Sequence, residues 1–234
     1  MSKLEGTIML RTGPITPLTR IAFVAAICLS LSHALCAQQG GVKPPAPAKD
    51  SIDTKTSRVY VFVGKTGFGH EHAVLGLVKS GEIHLGNTQN AGSIVFDMST
   101  FTADTAEARR AIGLGGSTDA STAREVTQNM LGGYVLNVRQ FPTSTFTINS
   151  ALPTGKQSQA GHPLYELKGN WQLHGVTQPL ALQVEAVDVK GQTHLRGRFA
   201  MLQTHFGIKP FTKALGAVGV TDRLVINGNI VINK

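Results

Sequence analysis

Between Tyr165 and Leu173 the side chains alternate in polarity. Tyr165, Leu167, Gly169, Trp171 and Leu173 take one set of positions, and Glu166, Lys168, Asn170 and Gln172 take the other. A period of two is the mark of a β-strand with one face in water and the other against something apolar. The pattern recurs along the chain. Leu180, Leu182, Val184 and Ala186 stand against Gln183 and Glu185, and Phe146 and Ile148 against Thr145, Thr147 and Asn149. Leu224, Ile226, Gly228, Ile230 and Ile232 stand against Asn227, Asn229 and Asn233, and Ile94, Phe96 and Met98 share a face. Val59, Val61 and Val63 alternate with Tyr60 and Phe62. Ala73–Lys79 and Glu82–Leu85 read as two strands joined by a tight turn at Ser80-Gly81; Val135–Val138 and His194–Leu202 read as further strands. Eight to ten strands with short links suit antiparallel hairpins. Such a sheet packs on a second sheet or curls into a barrel, and a barrel of about eight strands has room for side chains or for one ligand. Gly169, Ala186 and Gly228 on the inner face would widen that lumen.

The middle of the chain breaks the pattern. Asp104 can cap a short helix running to Ile112, with Gly113, Gly115 and Gly116 ending it. Ser117 or Asp119 can cap a second helix to about Leu131, stopped by Gly132-Gly133, with Ala123, Val126, Thr127, Met130 and Leu131 on one stripe. The simplest place for two helices is over one end of the barrel.

The N-terminal region has a different character. Ile21–Leu31 is apolar, lies behind Arg11 and Arg20, and leads to small residues at Ala34 and Ala37. A basic front, a short apolar core and a small-residue exit describe a secretory signal peptide. Residues 1–37 are read as that peptide, and a periplasmic or secreted location is expected. An uncleaved anchor and lipid modification at Cys36 are the alternatives. Both cysteines, Cys28 and Cys36, fall in this segment, so a chain cleaved after Ala37 has neither disulfide nor thiol nucleophile. Residues 38–56 begin QQGGVKPPAPAKD and read as a flexible tether. Residues 57–234 then form one domain.

The net charge is +8; loss of residues 1–37, with Lys3, Arg11 and Arg20 against Glu5, leaves +6. The basic residues are scattered and no run of them interleaves with aromatics, so nucleic acid is not an expected partner. Weak contact with an anionic membrane surface is compatible with the charge. The oligomeric state, monomer or dimer, is left open.

No catalytic constellation stands out. There is no G-x-S-x-G elbow, no H-E-x-x-H and no phosphate-binding glycine loop. The lumen is the main candidate site. Phe62, Phe96, Phe146, Trp171, Leu182, Phe199 and Ile226 are the candidate lining residues, although the same side chains would serve an ordinary filled core. The Gly-rich stretch from Phe206 to Asp222, with Phe206, Ile208 and Phe211, reads as a flap over the mouth or a plug in it. His70, Glu71 and His72 form the one polar cluster of note. Two histidines at i and i+2 on a strand share a face and could hold a metal, with His84, His174 or His205 as third ligand. A cluster that meets a ligand head group is the competing reading. His174, in a turn, is read as a hydrogen bonder that stabilises it.

Several segments together resemble a known family. GNWQLHGVTQPLAL at Gly169–Leu182 resembles the segment G-x-L-T-x-H-G-V-T-x-P-V-x-L of the YceI-like, lipid- or polyisoprenoid-binding proteins. RQFPTSTF (Arg139–Phe146), THFGIKP (Thr204–Pro210) and GVTDRLVINGNIVI (Gly219–Ile232) extend the likeness. GFGHEHAVLGLVKSGEIHL (Gly67–Leu85) resembles the branch with a Gly-His-Glu-His motif. The sequence departs from the pattern at Asn170, Trp171 and Gln172, and at His205, where Asp is usual. The resemblance implies an all-β, extended, antiparallel lipocalin-like barrel of about eight strands with two short helices inserted. It further implies a bound isoprenoid or fatty chain and periplasmic export. With no catalytic motif in the sequence, the expectation is a carrier of an isoprenoid, quinone-like or fatty molecule, with no enzyme activity and no other cofactor. A metal-dependent enzyme or redox-associated protein built on His70, Glu71 and His72 is the alternative.

Overall fold

A computed structural model describes residues 48–234. The expected signal peptide and most of the expected tether lie outside the described residues. Nine antiparallel strands follow one another: β1 (Arg58–Gly67), β2 (His72–Ile83), β3 (Gly92–Ala103), β4 (Thr143–Gln157), β5 (Pro163–Leu173), β6 (Val176–Val189), β7 (Gln192–Leu202), β8 (Thr212–Lys213) and β9 (Val218–Asn233). Each long strand pairs with the next, β7 pairs with β9, and β9 pairs back to β1 through register partners such as Val61 and Ile226. The result is a closed eight-stranded barrel, with two-residue β8 attached to β9 at Gly219 and Val218. Closure leaves the long strands with no free edge.

The alternation read from the sequence becomes the wall. Ile94, Phe146, Trp171, Val184 and Ile226 are buried on the inner side. In β1 the parity differs from the expected one: Val59, Val61 and Val63 face the lumen, and Phe62 shares the outward face with Arg58 and Tyr60. Both faces of β1 carry apolar side chains, so period two alone cannot say which points inward. Ser80-Gly81 is not a hairpin turn. β2 runs through it, paired to Val95 and Ile94 of β3, with a register shift between Val78 and Ser80 that absorbs the irregularity. Val135–Val138 is also not a strand; it forms turns, tied back by Val135 N–H to Gly132 O and Leu136 N–H to Met130 O.

The two ends of the barrel differ. At the base, residues placed in the tether belong to the fold: Ser51 bridges to Glu82, Ile52 bridges to Ile232, and Ile52 is buried. The folded part therefore starts before residue 57. At the other end lie the β1–β2 turn, helices α1 (Ala106–Ala111) and α2 (Ala120–Leu131), the His174-Gly175 turn, and the 203–217 connection. Asp119 caps α2 by accepting from the N–H groups of Ser121 and Thr122, and Gly132 ends it. The cap of α1 is Thr105, not Asp104. Tyr60 Oη donates to Glu107 of α1 at 2.8 Å, and burial followed by that carboxylate pushes the phenol up to about 12. Among the described residues no helix is long and apolar enough to cross a membrane.

Candidate functional site: an apolar lumen with a polar mouth

The barrel encloses a cavity of about 430 Å³. It runs from Ile83, Leu167 and Leu195 toward the base, past Phe96, Trp171 and Phe199, to the helix-bearing end. From Leu167 to Leu173 alone, six strand steps cover about 20 Å. Exposed residues Phe68, His70, Glu125 and Lys213 also border it, so the cavity reaches the surface at that end.

Six of the seven proposed lining residues lie on this wall: Phe96, Phe146, Trp171, Leu182, Phe199 and Ile226. Phe62 does not, for the parity reason given above. Trp171 is fixed in the middle of the wall. Its Nε1–H donates to Ser144 Oγ at 2.7 Å, and Ser144 Oγ donates to Gln172 O at 2.9 Å. The indole meets Phe199 edge-on at 5.7 Å and Phe206 at 4.9 Å between ring centroids. Such pairs add to the burial already gained. Of the three small residues expected to widen the lumen, Gly228 alone borders it. Gly169 serves a different purpose: a Cβ there would lie 1.9 Å from Thr147 O, so its absence lets β4 and β5 approach at a bulge.

The flap divides in two. Gln203–Phe206 is a short 3-10 turn, with Gln203 Nε2 donating to Thr221 O at 2.8 Å and Thr204 Oγ1 donating to Asp222 at 2.6 Å. Phe206 and Ile208 are buried, and Ile208 and Phe211 border the cavity. The tip beyond is open, with Leu215 fully exposed. Lys213 Nζ reaches Glu125 of α2 at 3.3 Å, linking the tip to the helix across the mouth.

The polar cluster is arranged differently from the expectation. β2 begins at His72, so His70 and Glu71 belong to the turn before it and are exposed; the two histidines do not share a strand face. His72 turns to Asp104, with its Nδ1 2.7 Å from Asp104 Oδ2. Asp104 is fully buried and also accepts from Ala73 N–H and Arg109 Nη1, each at 3.0 Å. Burial alone would raise this carboxyl. The hydrogen bonds from His72, Ala73 N–H and Arg109 outweigh it and hold the carboxyl below the ordinary carboxylate range. Arg109 also donates to the carbonyls of Gly115 and Gly116, which pins the glycine loop after α1. His84 sits near the base beside Asp50 and Glu82, His174 lies with Nδ1 3.2 Å from Phe206 O, and His205 is exposed. Among the described residues no three His, Cys, Asp or Glu side chains come together as a metal-holding group. Sequence reasoning missed Asp104 and Arg109. The available signal was that Asp104 and Thr105 are adjacent residues able to cap one helix, which leaves one of them free.

A closed antiparallel barrel around one long apolar lumen, open at a polar mouth, defines a lipocalin-like binding barrel. The chain belongs to the YceI-like family, whose domain model matches residues 51–232. Among solved structures it is similar in fold to BcnA of Burkholderia cenocepacia, at 14% identity and a TM-score of 0.51, covering 78% of this chain and 99% of that one. It is also similar to a domain from Saccharophagus degradans described as polyisoprenoid-binding and implicated in plant cell wall breakdown. That likeness is at 11% identity and a TM-score of 0.54, covering 80% of this chain and 99% of that one. No curated protein matches it in sequence.

Proposed function

We propose that this protein is a secreted or periplasmic carrier that holds a long apolar molecule in the barrel lumen, for transport, storage or stress protection, and that it catalyses no reaction. The observation that carries this reading is the cavity of about 430 Å³, within the span of small-molecule sites and walled almost wholly by apolar side chains. Each methylene moved from water into such a wall contributes about 0.8 kcal/mol, so about ten buried carbons supply about 8 kcal/mol, and a longer chain is needed to hold micromolar binding against the cost of immobilisation. A polyisoprenoid, quinone-like or fatty chain suits the shape, and the Saccharophagus domain's described ligand class supports the first of these. Export is supported by the short apolar segment behind Arg11 and Arg20. Exposed Phe68 and Leu215 beside the mouth suit weak contact with the membrane from which such a chain is drawn.

Native mass spectrometry of protein isolated from its own host tests the proposal. A co-purifying mass that organic extraction removes, and that long-chain lipids restore, is the expected result. A lumen that is empty on isolation and takes up no added lipid would sink the carrier reading. N-terminal sequencing of the same material tests export: a start near Gln38 is expected, and an intact Met1 overturns it.

A further inference from the structure

His72 borders the cavity, but its partner Asp104 does not. The Asp104 carboxylate can only accept hydrogen bonds, so in the neutral imidazole the His72 ring proton sits on Nδ1 and Nε2 carries the lone pair. Arg109, 3.0 Å from Asp104, already balances the carboxylate's charge. Among the described residues no sealed-in side-chain nitrogen or oxygen lacks a partner. His72 Nε2 has no protein partner there, so it is open, and the side chain, 13% exposed, borders the cavity. The other charged pair on the rim, Glu125 with Lys213, is neutral overall.

We infer that His72 Nε2 is a hydrogen-bond acceptor for the hydroxyl head of a long-chain alcohol or phenol whose tail lies in the lumen. The inference rests on the carrier reading and adds the head-group chemistry. Asp104 and Arg109 are positioning residues: they fix the tautomer and aim the ring without touching the ligand. An acid head would bring a negative charge up to the lone pair of Nε2, which has no proton to give it. An ether of the same length would reach the site with no proton to donate.

The test titrates the full, delipidated protein with geranylgeraniol, its methyl ether and geranylgeranoic acid. The alcohol should bind more tightly than the ether by about ten-fold, the worth of one well-made hydrogen bond in an apolar site. The acid should bind no more tightly than the ether. His72→Phe should close the gap between alcohol and ether. Nitrogen-15 spectra of the unaltered protein read the same contact without a variant: the His72 Nε2 signal should move with the alcohol and stay with the ether. Equal binding of alcohol and ether, tighter binding of the acid, or an Nε2 signal unmoved by the alcohol overturns the inference and leaves the carrier reading standing. Failure of all three chains to bind overturns both.

Discussion

Gly228 offers a way to fill the lumen without disturbing its wall. It lies on β9 between Val59 of β1 and Gly197 of β7, it borders the cavity, and a Cβ placed there meets nothing within 4 Å. Gly228→Leu therefore projects four carbons into space that a ligand would occupy. Displacing four methylene-sized groups at about 0.8 kcal/mol each costs about 3 kcal/mol, an affinity loss of about 200-fold. Stability should hold or rise, because a glycine inside a strand costs roughly 0.5–1 kcal/mol relative to alanine. Trp171 is the only tryptophan in the chain and borders the cavity, so its fluorescence reports both occupancy and folding. Titration with a twenty-carbon isoprenol, alongside urea melts, gives the two numbers. Gly197→Leu is the contrast, since its Cβ would lie 2.9 Å from Val184 Cγ1 and the wall would have to give. A folded Gly228→Leu protein that binds the isoprenol as tightly as the parent would refute the lumen as the site. A large loss of stability would refute the claim that the space is empty.

The remaining predictions concern what holds the site in place. Asp104→Asn should destabilise the protein at neutral pH by about 3–5 kcal/mol, because Arg109 keeps its charge in a buried site with no carboxylate to answer it. The folded-state carboxyl is lowered, so its contribution is present above the unfolded value of about 3.9 and fades as pH falls through the folded one. Parent and variant melting curves should therefore converge in acid; a gap that stays constant with pH would contradict this. Ser144→Ala strips the Trp171 indole of its acceptor and should cost about 1–3 kcal/mol in urea unfolding, with a shift in the tryptophan emission. Gly169→Ala should prevent folding or lower the melting point severely, because the new methyl would sit 1.9 Å from Thr147 O; circular dichroism of the expressed protein decides it. Lys213→Ala breaks an ion pair whose side chains are more than half exposed, so stability should change by less than about 1 kcal/mol. Ligand release, followed by stopped flow, should speed up if that pair ties the flap tip to α2.

The barrel was legible because six of its eight long strands wear their geometry openly. Glu166, Lys168, Asn170 and Gln172 can face only water, so the neighbours of each must face in. That logic fails in β1, where Phe62 and Val61 are both apolar and nothing local sets the parity. It fails again at Ser80-Gly81, whose residues favour a turn while the pairing to β3 carries the strand through. Ser51 and Ile52 follow a proline-rich stretch and are too few to show a period, so their place at the base emerges only from Glu82 and Ile232. The polar mouth was half legible. His72 drew notice, but its partner lies 32 residues away, beyond any local pattern. Asp104 was explained too readily as a cap, a duty that Thr105 performs.

The closure of the barrel also governs when it can exist. β9 is the last strand made, and it is the strand that meets both β7 and β1. At the base, Asp50 N–H donates to Asn233 O and Asn233 N–H to Ser51 O, so the two ends of the domain clasp one another. Without β9 the chain therefore has seven paired strands and no barrel, β8 has no partner, and one edge of β1 and one of β7 stand open. Closure waits for β9 and then brings together partners more than 160 positions apart, such as Val61 and Ile226. Such long-range pairing is slow to form. Loss of the last residues of β9 should thus be felt at Asp50 and Ser51, and the domain behaves as a ring that is fastened at its ends.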